Sequence, residues 1–124
     1  MFIVNSDGSI HATRGDIGSF EVSIKTPEST DYVFKSGDIV RFNVHERNHP
    51  ERVVLIKDVE VTEETTSVVI SLSREDMKIG DYINKPINYW YEVELNPNTT
   101  PQTFIGYDFA GPKIFTLYPE GADE

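Results

Sequence analysis

Two histidines stand four residues apart in His45-Glu46-Arg47-Asn48-His49, with a glutamate directly after the first. On a helix this spacing puts both imidazoles on one face, roughly 5–6 Å apart. There they can hold a zinc ion while the glutamate serves as general base to its bound water. The chemistry would be peptide hydrolysis, and it needs the helix. The preceding run Ile39-Val40-Arg41-Phe42-Asn43-Val44 alternates apolar and polar residues, which is strand patterning, and Pro50 biases His49 toward extended geometry. On a continuing strand the two histidines would be about 13 Å apart, at about 3.3 Å per residue. Glu60, Glu63 and Glu64 are the nearest further ligand candidates, and no second helical pattern accompanies them. The stretch therefore reads as a polar hairpin loop, His45 to Arg52, joining Val40–Val44 to Val53–Val61. We expect no metal, no cofactor and no catalytic residue.

Other chemistry-bearing patterns reduce to turns. Arg14-Gly15-Asp16 spells an adhesion tripeptide, but Gly-Asp recurs as Gly37-Asp38 and Gly80-Asp81, each time just before an extended run. Glycine tolerates positive φ and aspartate bonds its own backbone, so the repeated dipeptide is turn chemistry. The acidic pairs Glu63-Glu64 and Glu75-Asp76 lack the spacing of a calcium loop. No Gly-x-Ser-x-Gly and no phosphate-cradling glycine loop occurs. Asn98-Thr99-Thr100 is a glycosylation sequon with meaning only in a secreted protein.

Trp90 is a stronger candidate. In Tyr89-Trp90-Tyr91-Glu92-Val93-Glu94-Leu95 the alternation places it with Glu92 and Glu94, opposite Val93 and Leu95. An aromatic ring on the polar face can stack on a sugar or anchor a partner. The competing reading is a tryptophan covered by a neighbouring loop. Trp90 and Tyr91 are the partner-binding candidates, and Tyr32, Tyr107 and Tyr118 could join them.

The elements that must position these residues are strands. Period-two alternation marks Ser19–Ile24, Ile39–Val44, Thr66–Leu72 and Tyr89–Leu95, the signature of half-buried antiparallel strands. Arg52–Val61 is apolar on both faces at its start, predicting a central strand or a bulge. Phe104–Tyr107 and Lys113–Tyr118 read as a hairpin joined by Asp108–Pro112. One helical turn is expected at Ser73–Gly80, with Ser73 as N-cap and Asp76 three residues on. The fold class expected is an all-β antiparallel sandwich, immunoglobulin-like or jelly-roll-like, of eight or nine strands with that one helical turn. It forms a single domain over residues 1–124, with 119–124 a frayed tail or linker.

Composition agrees. The chain has 124 residues, 38% hydrophobic and 26% charged, enough for one globular core. Eleven Lys and Arg stand against 21 Asp and Glu, a formal charge of −10 that argues against nucleic acid or anionic membrane as partner. Without cysteine there is no disulfide and no thiol nucleophile. The opening Met1–Val4 run is too short for a signal peptide, and no segment is long and apolar enough to span a bilayer.

The order of these segments resembles a known family. Thr13–Ile24, Tyr32–Val44, Tyr89–Leu95 and Thr103–Gly121 are similar to the N-terminal domain of phage baseplate upper proteins, which occurs in prophages of Gram-positive bacteria. The resemblance runs from about Ile10 to Gly121 and rests on strand-and-turn patterns with Gly-Asp punctuation. It implies a β-sandwich made in the bacterial cytoplasm and carried in the virion. Such a domain docks a fibre or receptor-binding assembly onto other tail and baseplate proteins, with a homo-oligomer such as a trimer as one form. It carries no catalytic residues over. Those proteins usually continue into a coiled-coil or fibre region, whereas this chain stops at Glu124. The alternative from the residues alone is a carbohydrate-binding module using the Trp90 face.

Overall fold

A computed structural model describes residues 1–26, 28–80 and 83–120. Nine strands form: β1 (Phe2–Val4), β2 (Ile10–Thr13), β3 (Gly18–Val22), β4 (Ile39–Glu46), β5 (His49–Glu60), β6 (Val68–Leu72), β7 (Ile87–Leu95), β8 (Gln102–Ile105) and β9 (Lys113–Tyr118). The protein is all-β, a sandwich of two unequal sheets. The larger runs β1-β2-β9-β7-β4-β5, with β8 also on β7, and the smaller pairs β3 with β6. All pairs are antiparallel except β2 with β9, which are parallel.

Alternation becomes burial in a direct way. On β4, Val40, Phe42 and Val44 are buried; on β7, Tyr89, Tyr91, Val93 and Leu95 are. Phe42 sits at the centre. Its ring meets Phe20 of the small sheet at 5.1 Å, edge-on, and Tyr91 and Phe115 of its own sheet at 5.5 and 6.2 Å. The Phe20 contact ties the two sheets together and the other two fix the ring within its own sheet, each worth about 1 kcal/mol beyond the area it buries.

Turn chemistry fixes where strands stop. Gly15, Gly37 and Gly80 all hold positive φ, as their position before Asp predicts; Asp81 itself lies outside the described residues. Asp38 accepts hydrogen bonds from the Lys35 backbone N–H (2.9 Å), the Tyr32 hydroxyl (3.1 Å) and the Asn96 amide (3.2 Å), so one carboxylate joins two turns. At Ser73 the capping exchange is present: Ser73 Oγ accepts from the Asp76 N–H, and Asp76 Oδ2 accepts from the Ser73 N–H. The turn closes with Met77 N–H to the Ser73 carbonyl at 3.1 Å and Lys78 N–H to the Glu75 carbonyl at 3.2 Å, and no helix forms among the described residues. Ile79 and Met77 are needed in the core, which pulls the chain out of helical geometry after one turn.

Of the two readings of Arg52–Val61, a central strand or one with a bulge, the bulge is present: the segment belongs to an edge strand in which His45 pairs with Val53 and Val44 with Leu55, leaving Val54 as an extra residue. Its inner-facing Lys57 reaches Asp76 at 3.0 Å, an inward charge of the kind that blunts edge pairing. The expected hairpin of Phe104–Tyr107 with Lys113–Tyr118 does not form. β8 and β9 do not pair with each other; both run antiparallel to β7 along the same side, β8 opposite Val93–Leu95 and β9 opposite Ile87–Tyr91. They are two pieces of one strand, interrupted by an excursion from Gly106 to Pro112. Of the expected frayed tail, residues 121–124 lie outside the described residues, whereas Glu120 accepts a hydrogen bond from Arg14 at 2.7 Å.

Candidate functional site

The His45–His49 stretch is a tight hairpin, not a helix and not the longer loop expected. β4 continues through Glu46, which pairs with His49, and Arg47-Asn48 make the turn with Asn48 at φ 63°. Asparagine tolerates that left-handed conformation better than most residues, which is why so short a turn suffices. His45 is only 5% exposed on the sheet, while His49 lies exposed beside Glu51 at 3.3 Å. Among the described residues no three His, Asp or Glu side chains gather as metal ligands. The helical geometry that the zinc chemistry requires is replaced by a strand turn.

The same hairpin places His45 directly across from Trp90 on the outer face of the large sheet. Their rings meet edge-on with centroids 6.5 Å apart. His45 Nδ1 lies 3.0 Å from the Glu46 carbonyl oxygen. A carbonyl can only accept, so Nδ1 is the donor in this contact. Cross-strand neighbours on this face are Asn43 with Glu92 and Arg41 with Glu94. Arg41 is also held to Asp58 by two hydrogen bonds, 2.7 and 2.9 Å.

The excursion completes the site. Gly106 passes so close over β7 that a Cβ there would lie 3.3 Å from Glu92 Cβ and 2.9 Å from Thr103 Cγ2. Only glycine permits that approach. Tyr107, 70% exposed, then meets Trp90 edge-on at 5.6 Å. Beyond it the loop is braced: Asp108 accepts from the Ala110 N–H at 2.9 Å and from Lys113 Nζ at 3.0 Å, and its backbone pairs with Gly111. These bonds hold the Asp108 carboxyl below its ordinary range, the Lys113 bond contributing most. Phe109 at the tip is fully exposed.

Trp90, His45, Glu92, Tyr107 and Lys113 line a cleft of roughly 460 Å³. Burial, reinforced by neighbouring Glu94 and opposed by His45, pushes the Glu92 carboxyl above the usual carboxylate range. Among the described residues Glu92 has no ion-pair partner. Next to it the Asn43 side-chain oxygen is buried without a hydrogen-bond partner.

Of the two candidates from sequence, Trp90 is half-buried on this face, both flanked by a loop and open to the cleft. Tyr91 faces the core at 4% exposure and donates its hydroxyl to the Gly8 carbonyl. Burial pushes its phenol up to about 12. Its side chain is a core element, so the anchor reading falls to Trp90. Tyr107 joins the patch as anticipated; Tyr32 packs on Phe34 and Tyr118 on His11, away from it. Arg14 is committed to the Ile79 and Gly80 carbonyls and to Glu120, which leaves the adhesion tripeptide part of the scaffold. Phe109 was missed, because a phenylalanine in a turn carries no periodic signal; its place between Asp108 and Gly111, where core residues are rare, was the available clue.

Comparison with protein-family models, with curated proteins and with solved structures finds no match to this chain.

Proposed function

We propose that this sandwich is a non-enzymatic docking module, and that the assembly it serves is a phage or prophage tail baseplate, where it anchors a fibre or receptor-binding assembly. The single observation that supports docking most is the braced excursion. A fully exposed Phe109 and a largely exposed Tyr107 are held on a rigid turn beside Trp90. An exposed aromatic on a preordered support loses little conformational entropy when it enters a partner's pocket. The tail assignment rests on the resemblance of the strand-and-turn order, and an all-β sandwich is the fold that resemblance implies.

The test is particle composition. Tail particles released by a producing strain, purified on a density gradient, contain this chain in fixed ratio to the other tail proteins by mass spectrometry. A chain found only in the unassembled fraction would sink the tail reading.

A second reading, a carbohydrate-binding module for cell-surface glycans, is favoured by the pairing of aromatic rings with polar groups in the Trp90 cleft. A glycan array separates the two: docking predicts no sugar-dependent signal, and retention that Trp90→Ala abolishes would replace docking with glycan binding.

A further inference from the structure

We propose that the cleft between Trp90, Tyr107 and Glu92 receives a cationic side chain, an arginine above all, presented by the protein surface on which the module docks; this rests on the docking reading and specifies what the site recognises. Trp90 and Glu92 are two residues apart on one face of β7, about 7 Å along the strand. Tyr107 sets its ring edge-on to the tryptophan at 5.6 Å and lines the same cleft. Aromatic faces attract cations through their quadrupole, and a planar guanidinium can stack on the ring while it donates hydrogen bonds to a carboxylate.

The carboxylate is present and has no ion-pair partner among the described residues, although His45 on the neighbouring strand offsets part of the cost of its charge. Lys113, the one lysine lining the cleft, is engaged by Asp108 at 3.0 Å. Arg41, nearest on the neighbouring strand, is engaged by both oxygens of Asp58. Glu92 is thus left partly buried beside another glutamate, in an environment that disfavours its charge. A cation entering the cleft relieves that cost, whereas a neutral sugar does not. The whole chain carries a formal charge of −10, so a basic partner surface is also the one its field draws in.

Trp90 is the sole tryptophan, so its emission reports on this cleft alone. The folded protein is titrated with N-acetyl-arginine amide, with its neutral isostere N-acetyl-citrulline amide, and with N-acetylglucosamine oligomers. The expected result is a saturable change with the arginine compound only, weakened about fivefold in Glu92→Gln, the size of one exposed-to-partly-buried ion pair. Tyr107→Ala, at a largely exposed position, weakens it as well. Equal responses to arginine and citrulline, an undiminished response in Glu92→Gln, or no saturation at all would overturn the proposal. Saturation by the sugar alone would overturn it in favour of glycan binding. A chain that is packaged into particles yet blind to arginine loses this inference and keeps the docking function.

Discussion

Tyr107 sets its ring edge-on to Trp90 with centroids 5.6 Å apart, although it belongs to a loop that leaves the sheet and Trp90 to a strand in the middle of it. The contact exists because the last strand is broken. β8 and β9 share one side of β7, and the intervening residues are free to fold back over the outer face. Tyr107→Ala is expected to cost about 1 kcal/mol in urea denaturation, the ordinary worth of such a pair, and to shift Trp90 emission to the red as water reaches the indole. Unchanged emission would show that the two rings do not meet in solution.

Gly106 tests the close approach on which the excursion depends. Gly106→Ala introduces a methyl 2.9 Å from Thr103 Cγ2 and 3.3 Å from Glu92 Cβ. The expected loss is about 1–3 kcal/mol from overpacking, together with a changed Trp90 emission spectrum. A variant as stable as the parent would mean that the loop stands off the sheet.

Glu92 contributes to stability with a sign opposite to that of Asp38, Asp58 and Asp76. Its folded-state value is raised, so the fold disfavours the ionised form at neutral pH, and that cost vanishes as pH falls through the raised value. Glu92→Gln is therefore expected to raise Tm at pH 7, with the gain shrinking toward pH 4.5. A drop in Tm at pH 7 would reveal a favourable partner for the carboxylate.

Asp58, Asp76 and Asp38 act the other way. The Arg41 bond holds Asp58 low, and the Ser73 backbone N–H does the same for Asp76. Burial works against the Asp38 charge, but the Lys35 N–H, Asn96 and Tyr32 outweigh it and leave this group low as well. Folded values below the unfolded 3.8 mean stabilisation that is complete above that value and lost as pH falls through the lowered ones. Thermal melts across the acid range are expected to show Tm falling below about pH 4, with a shallower fall in Asp38→Asn.

The strands that bear the site were legible because alternation and burial are one fact seen twice: Phe42 and Val44 inward, Asn43 and His45 outward, and likewise Val93 inward and Trp90 outward on β7. The Gly-Asp turns and the Ser73–Asp76 cap were legible for an equally local reason, since each is settled within four residues. What crosses the chain was not. Two short apolar runs around Asp108–Gly111 have the pattern of a hairpin whether they pair with each other or with a third strand. Only the competition for the side of β7 decides, and it is a long-range contact. Tyr91 is a different case: the alternation already sets it inward with Tyr89, Val93 and Leu95, and its buried place on β7 follows that pattern rather than the partner-binding reading. The zinc-like spacing was discounted on local grounds, Pro50 and the strand before His45, and the two-residue turn at Arg47-Asn48 has the geometry those grounds imply, tighter than expected.

If the protein docks as proposed, the outer face around Trp90, with Phe109 at its projecting tip, is the contact surface. Phe109→Ala is expected to leave stability within about 0.5 kcal/mol, because the side chain is fully exposed. The most direct measurement places a photo-crosslinking phenylalanine analogue at position 109 and, as a control, at Val69, exposed on the small sheet, and irradiates purified tail particles. The proposed tail docking leads to a discrete crosslink from position 109 to another tail protein and none from position 69. Crosslinks from 69 but not 109, or a 109 variant assembled into particles without any crosslink, would contradict it.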